Sequence, residues 1–417
     1  MNFDFTDEQL MLRQMTRELL ARESATGGAA AVRRLMEQPE GYSEETWRQL
    51  AEVGLLGLPF PEAYGGQGLG MVELALVLEE MGRAAYPGPY FASVVLAGTA
   101  IMAGGSDEQK RRYLTGIAAG RTKASLALLE DGVGWGPDAV GLAARQVAER
   151  GRPGYVLNGT KQLVPYAHVA GLLIVAARTA PAGDGQDAER GITLFAVDRG
   201  TPGVDVRPQA TIDLTNRVSE VTFRDVSVDG DRAIGAVGGG WPILESVLEH
   251  AAVGASAEML GAARTALAMS VDYAKTREQF GQPIGTFQAI KHKCAEMLLE
   301  VEEAHGATYY ASWALGAGAP DASLAASVAK AYVSEAARKV CGEAIQVHGG
   351  IGFTWEFDLH LYFKRAKHLE PLYGSADFHR ERALALTLGA EERDGTAQVH
   401  PAPEQAMPAR PEPALTA

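Results

Sequence analysis

The chain has 417 residues, 47% hydrophobic and 22% charged, an ordinary globular composition that at roughly 150 residues per domain suggests two or three domains. Its 38 Lys plus Arg stand against 52 Asp plus Glu, and the formal charge of -14 has the wrong sign for a general binder of nucleic acid or anionic membrane. Any anionic ligand must therefore meet a local basic site.

The first 120 residues predict helices with clear punctuation. Thr6-Asp7-Glu8-Gln9 and Ser106-Asp107-Glu108-Gln109 both have the form of capping boxes. Ser43 opens a further helix that Gly54 closes, residues 71–84 are apolar at helical spacing until Pro87, and residues 61–66 form a loop. The opening residues have neither a basic n-region nor an apolar h-region, so no secretory signal is expected. Residues 91–105 contain Ser93, Thr99 and three glycines and fall short of the roughly 20 needed for a membrane span. With only Cys294 and Cys341, no disulfide framework is possible; both read as buried thiols of a cytoplasmic protein.

From Thr122 the pattern changes to short runs of Val, Leu, Ile and Phe between turn formers. Strands are expected at 124–129, 155–157, 172–177, 192–197 and 221–223, with Asn158-Gly159 as the strongest hairpin turn and a polar loop at 181–190. Gly238-Gly239-Gly240 marks the return to helix, and long helical segments follow at 242–276, 286–317, 322–348 and 375–388, enough for a bundle. From Gly395 the chain is proline-rich without apolar period, which predicts a disordered tail. The fold class is α+β: an N-terminal helical domain (1–121), a middle β-barrel or sandwich domain (122–237), a C-terminal four-helix bundle (238–392) and the tail (393–417).

There is no G-x-S-x-G elbow, phosphate loop, paired cysteines or H-E-x-x-H pattern, which weakens hydrolase, ATPase and metal-site readings. His292 and Glu296 sit at i, i+4 but between lysines, as on a solvated helix face. Gly134-Trp135-Gly136-Pro137-Asp138-Ala139 nominally matches a dinucleotide fingerprint. It lacks the acidic residue about 20 positions on, so a glycine-rich β-loop fits better. Two C-terminal segments carry more: Arg277-Glu278-Gln279-Phe280-Gly281-Gln282-Pro283-Ile284-Gly285-Thr286-Phe287-Gln288, and Gln346-Val347-His348-Gly349-Gly350-Ile351-Gly352-Phe353-Thr354. Inter-helix turns account for the glycines. They do not account for an Arg, an aromatic and two Gln set around them, donors that a dinucleotide's phosphates and adenine could use.

On these segments, the opening Phe-x-Phe-Thr-x-Glu-Gln, the Gly54-Leu55-Leu56-Gly57-Leu58-Pro59 and Tyr64-Gly65-Gly66 runs and the helix-β-helix order, residues 1–390 resemble the acyl-CoA dehydrogenase family. The resemblance implies a tetrameric flavoprotein with FAD between subunits, an acyl-CoA substrate and electron-transfer flavoprotein or a similar acceptor. It implies that Arg277, Phe280, Gln288, Gln346, Val347, His348, Gly349 and Gly350 are contacts to a neighbour's FAD. The chemistry implied is α,β-desaturation of an acyl thioester, in which a carboxylate takes the α-proton and the flavin accepts the β-hydride.

The chain departs from that family at the base. Counting without gaps from Gly349 puts Tyr373 on the usual glutamate, and a phenol of pKa about 10 is almost wholly protonated at neutral pH. The alternative family position falls on Ala251. Glu249 is two residues away and diverges by about 200° around a helix, whereas Glu258 shares the face but should lie about 10 Å down the axis. The flavin-ring side departs too: Glu130-Asp131-Gly132-Val133-Gly134-Trp135-Gly136 and Leu163-Val164-Pro165 replace the family's loops.

These departures suggest a base-lacking subunit of a heterotetramer with a Glu-bearing paralogue. It resembles the non-catalytic partners that bacteria use on sterol side chains, where half the sites carry FAD. The alternatives are a self-sufficient homotetrameric dehydrogenase with a displaced base, Glu249 or Glu370, and a non-desaturating flavin- or acyl-CoA-binding member. The basic side chains expected to serve the anionic ligands are Arg277, Lys291, Lys293, Lys364, Arg365 and Lys367.

Overall fold

The computed structural model describes residues 4–25, 29–132, 134–149, 152–181 and 188–394. Val133, most of the expected 181–190 loop and the proline-rich tail beyond Asp394 lie outside the described residues.

The N-terminal part contains α1 (Asp7–Ala25), α2 (Ala29–Glu37), α3 (Glu44–Glu52), α4 (Met71–Arg83), α5 (Thr99–Gly104) and α6 (Asp107–Ala118). Both capping boxes form. Gln9 N donates to Thr6 Oγ1 at 3.3 Å while Thr6 N donates to Gln9 Oε1 at 3.0 Å, and Ser106 with Gln109 repeats the exchange at 3.2 and 3.0 Å. Ser43 caps α3 as expected, and the loop at 61–66 contains one 3-10 turn, Glu62–Tyr64. Phe91–Gly98 winds as a π-helix running into α5, a wider coil of the kind often found beside functional sites. It forms part of the cavity wall described below.

An eight-stranded sheet follows: β1 (Ala124–Ala127), β2 (Ala143–Glu149), β3 (Arg152–Pro165), β4 (Leu172–Arg178), β5 (Ile192–Asp198), β6 (Val204–Gln209), β7 (Val218–Asp229) and β8 (Ala233–Ile234). The order is β6-β7-β3-β2-β4-β5-β8, with β1 parallel to β4. Sequence patterning missed β2, where Arg145 and Gln146 are both exposed, β6, where Asp205, Arg207 and Gln209 alternate with apolar residues, and the two-residue β8, none of which has an apolar run. Asn158-Gly159 is not a hairpin turn. It lies inside β3, where the pairing with β7 shifts register, Gly159 takes φ +146° and Asn158 Oδ1 accepts from Asp225 N at 2.9 Å. A bulge uses the same conformational tolerance as a tight turn, so this dipeptide served the bulge. The β2–β3 reversal instead falls after the Glu149–Arg152 pair.

The inner strands β4 and β5 are buried on both faces. Leu173, Val175, Phe195, Val197 and Phe223 pack into one core, while the alternating Leu172, Ile174, Leu194 and Ala196 join a larger core shared with the helices.

The C-terminal part comprises α7 (Trp241–Thr276), a short hairpin of β9 (Glu278–Gln279) and β10 (Gln282–Pro283), α8 (Gln288–Ala317), α9 (Ala322–His348), α10 (Leu359–Leu369) and α11 (Ala376–Asp394). The four long helices were expected; α10 was not, because a buried Arg365 interrupts its apolar stripe. Helix α7 also crosses α4 closely. A Cβ on Gly261 would lie 1.9 Å from Glu79 O and one on Gly82 would lie 2.0 Å from Glu258 O, so only glycine fits either position. Cys341 is buried as expected, but Cys294 is half-exposed on α8. Among the described residues no helix is long and apolar enough to cross a membrane.

Candidate active site

The departures noted in the sequence converge on one place. A cavity of about 50 Å³ is walled by Phe91 and Leu96 of the π-helix, Leu126 of β1, Trp135, Leu163 and Pro165 of β3, Leu248 and Glu258 of α7, and Tyr373 from the bend between α10 and α11. The Tyr373 ring stacks on Phe91 with centroids 5.4 Å apart and an interplanar angle of 19°, and Trp135 tilts against it at 5.6 Å. Tyr373 adopts φ +61°, a left-handed conformation costing roughly 1–2 kcal/mol for a residue with a Cβ. Its surroundings hold it there. Lys330 of α9 donates to Glu370 O at 2.9 Å, Gly374 O at 3.0 Å and Ser334 Oγ at 3.0 Å, while His379 Nε2 lies 2.9 Å from Tyr373 O. Three acceptors match the three protons of an ammonium.

A buried ionic node lies against the same wall. Arg365 donates from Nε to Asp213 Oδ2 at 2.7 Å, from Nη1 to Glu258 Oε2 at 3.0 Å, and from Nη2 to Tyr86 O and Thr215 Oγ1. It thereby joins the segment after α4, the β6–β7 connection, α7 and α10. Burial alone would raise the Asp213 carboxyl, but Arg365 and the Thr215 hydroxyl outweigh it and hold it below its ordinary value. Glu258 goes the other way: burial wins over Arg365, and its carboxyl is raised.

Among the described lining residues the groups able to accept a proton are Glu258, Tyr373 and His368; burial lowers the His368 imidazole, and its Nδ1 lies 3.1 Å from Thr211 Oγ1. Burial, then the negative field of Glu258, pushes the Tyr373 phenol well above its usual range. Ala251 is buried and offers no acid–base group. Glu249 accepts from Arg382 at 2.7 Å, and Glu370 pairs with Arg338 at 3.1 Å and Lys367 at 2.6 Å; neither lines the cavity. Sequence spacing set Glu258 aside on distance. The structure brings it to the wall of the same cavity as Tyr373, and it is Arg365, not distance, that occupies its carboxylate.

The middle-domain wall is held by a second buried ion pair. Lys161, fully buried, donates to Glu130 Oε1 at 2.5 Å and Leu128 O at 2.9 Å, while Gly141 N and Leu142 N donate to the same carboxylate oxygen. Burial lowers the Lys161 ammonium to about 8 against the pull of Glu130. The bend at Pro137–Ala139 is a single 3-10 turn leading to β2, and no α-helix opens at the nominal dinucleotide fingerprint.

The C-terminal motif residues lie elsewhere, at one end of the bundle. Arg277, Gln288 and Gln346 are exposed, Phe280 is 91% exposed, and a Cβ at Gly349 or Gly350 would meet nothing within 4 Å. Val347 and His348 differ: both side chains turn into the core, His348 between Tyr273 and Phe357 with Nδ1 on Ala344 O. Any contact these two make with a ligand must come from the backbone. Several expected basic groups are also engaged: Arg365 is buried in the node, Lys293 pairs with Glu343 and Lys367 with Glu370. His292 and Glu296 are exposed on α8. The open motif end, with uncommitted polar side chains and bare glycines, fits the adenosine and pyrophosphate half of FAD; the 50 Å³ cavity does not fit the isoalloxazine ring.

Models of the acyl-CoA dehydrogenase N-terminal, middle and C-terminal domains match residues 6–121, 125–226 and 238–385. The chain belongs to the acyl-CoA dehydrogenase family. A similar relative is the probable acyl-CoA dehydrogenase YngJ of Bacillus subtilis (strain 168), 33% identical over 384 residues, 91% of this chain and 98% of that protein. Among solved structures, butyryl-CoA dehydrogenase from Megasphaera elsdenii superposes with a TM-score of 0.84 at 28% identity, covering 93% of this chain and 100% of the other. The ChsE4-ChsE5 complex from Mycobacterium tuberculosis contains a chain with a TM-score of 0.81 at 29% identity, covering 94% and 99%. As an acyl-CoA dehydrogenase family member the chain is an oxidoreductase homologue of FAD-dependent flavoproteins, with the family's helical, sheet and helical parts.

Proposed function

We propose that this chain is the subunit of a heteromeric, tetrameric acyl-CoA dehydrogenase that lacks the catalytic carboxylate and lends FAD contacts to a Glu-bearing paralogue. The observation that carries this reading is Tyr373. A buried, protonated phenol stands where the family places its base, and the one carboxylate among the described lining residues, Glu258, is committed to Arg365. A displaced base has no support from Glu249 or Glu370, both of which are ion-paired away from the cavity.

Bound FAD supplies a hydride acceptor for the thioester's β-carbon at the paralogue's site. This chain's share is binding: Arg277 offers a fork of donors to phosphate, Gln288 and Gln346 offer amides, Phe280 an aromatic face, and Gly349-Gly350 a bare backbone for close approach. Similarity to a chain of the ChsE4-ChsE5 complex supports a two-chain assembly. An acyl-CoA of lipid or sterol breakdown as substrate, electron-transfer flavoprotein as acceptor and a cytoplasmic setting complete the proposal.

The test is expression alone and together with a Glu-bearing paralogue, followed by native mass and FAD-to-protein ratio. The isolated chain should be FAD-poor and inactive, and the complex should be a heterotetramer with FAD in half its sites. A homotetramer holding stoichiometric FAD and desaturating acyl-CoA would sink the proposal.

A further inference from the structure

Three aromatic side chains, Phe91, Trp135 and Tyr373, stand together on the wall of the cavity. We infer that Phe91, Trp135 and Tyr373 form an aromatic plug that obstructs this chain's own acyl-thioester and flavin-ring site, with Lys330 and His379 as its latch. This deepens the proposed function, resting on it for the identity of the excluded ligands.

Three independent observations carry the inference. The first is volume: about 50 Å³ is room for a few waters, whereas sites for ligands of this class span about 300–1,000 Å³. The second is geometry. Tyr373 stacks on Phe91 from the N-terminal part and meets Trp135 from the β1–β2 connection of the middle part, so one ring from each of the three parts of the chain meets at the cavity. The third is the latch. A left-handed φ at a bulky residue persists only when its surroundings over-determine it. Here the carbonyls of Glu370, Tyr373 and Gly374 are each held by a buried side chain from α9 or α11. The bend is thus built to keep the phenol inside, and restoring a base at position 373 would not by itself make room for substrate.

The experiment uses the full-length chain and two probes, benzene and butyryl-CoA. Tyr373→Gly keeps the backbone conformation and removes the ring, Tyr373→Phe keeps the plug, and the double variant Phe91→Ala with Tyr373→Gly removes two of its three rings. Wild type and Tyr373→Phe should bind neither probe. Tyr373→Gly should bind benzene, as an apolar ring-sized cavity does, and the double variant should bind butyryl-CoA at least tenfold more tightly than wild type. Circular dichroism checks folding, and if the glycine variants do not fold, Phe91→Ala alone, away from the latch, carries the same benzene comparison. Wild type that binds butyryl-CoA as tightly as the double variant overturns the inference, and so do folded plug-deleted variants that gain neither probe. If wild type refuses both probes, the variants gain them and no heterotetramer forms, the plug stands and the partner role falls.

Discussion

Arg365 and Asp213 form an ion pair, Nε to Oδ2 2.7 Å, with both side chains only 1% exposed. Because Arg365 also neutralises Glu258, removing it leaves two buried carboxylates unpaired, and removing Asp213 breaks the link to the sheet. Breaking one partner of such a pair costs about 3–5 kcal/mol. Arg365→Leu and Asp213→Ala should therefore each lower stability by that order in denaturant melts. Losses under about 1 kcal/mol would show that the node does not tie the three parts together.

The α4–α7 crossing gives a prediction in which position matters more than residue type. Gly261→Val places side-chain atoms on Glu79 O and should leave little folded protein, whereas Gly306→Ala on the exposed side of α8 meets nothing and should stabilise by about 0.5–1 kcal/mol. Thermal melts of the two variants compare them directly.

His379 predicts a pH dependence. It is 4% exposed, its Nε2 serves Tyr373 O, and its Nδ1 has no protein partner, so a second proton would be buried unsatisfied. Burial lowers its pKa to about 4, with Lys330 and Arg382 adding to the effect and the Tyr373 carbonyl opposing it. The unfolded chain, with His near 6.5, then binds more protons between those values. The stability His379 contributes is complete above pH 6.5 and is lost as the pH falls toward 4, by on the order of 3 kcal/mol. Urea melts from pH 7 to 4.5 should show a shallower acid limb in His379→Gln than in wild type.

For the bundle end, Arg277→Ala and Gln346→Ala are surface changes and should leave the melting temperature within about 2 °C of wild type. In a complex with the Glu-bearing paralogue, each should lower FAD retention by about tenfold, the value of one charge-assisted or polar contact set. Unchanged FAD content after gel filtration would remove these residues from the cofactor's environment.

Much of the fold was legible because it is written in local pattern. Capping boxes, 3.6-residue periods and alternating apolar runs act over a few positions, and they located the four long C-terminal helices and five of the eight strands of the main sheet. The misreadings have physical causes of the same kind. Asn158-Gly159 satisfies a bulge as well as a turn, β2 and β6 expose polar faces, and α10 buries an arginine where its stripe should be apolar.

For the candidate site, the sequence by itself singled out Tyr373 for the proposed base position, because a count along the chain from Gly349 needs no tertiary information. It also determined which side chains sit at the two inter-helix motifs. Only the tertiary structure decided that Val347 and His348 turn inward, that Glu258 reaches the cavity, and that Arg365 occupies it from 107 positions away. Closure of the cavity was likewise a tertiary matter. Phe91, Trp135 and Tyr373 come from three separate parts of the chain, and their rings meet only because the π-helix, the β1–β2 connection and the α10–α11 bend pack on one another.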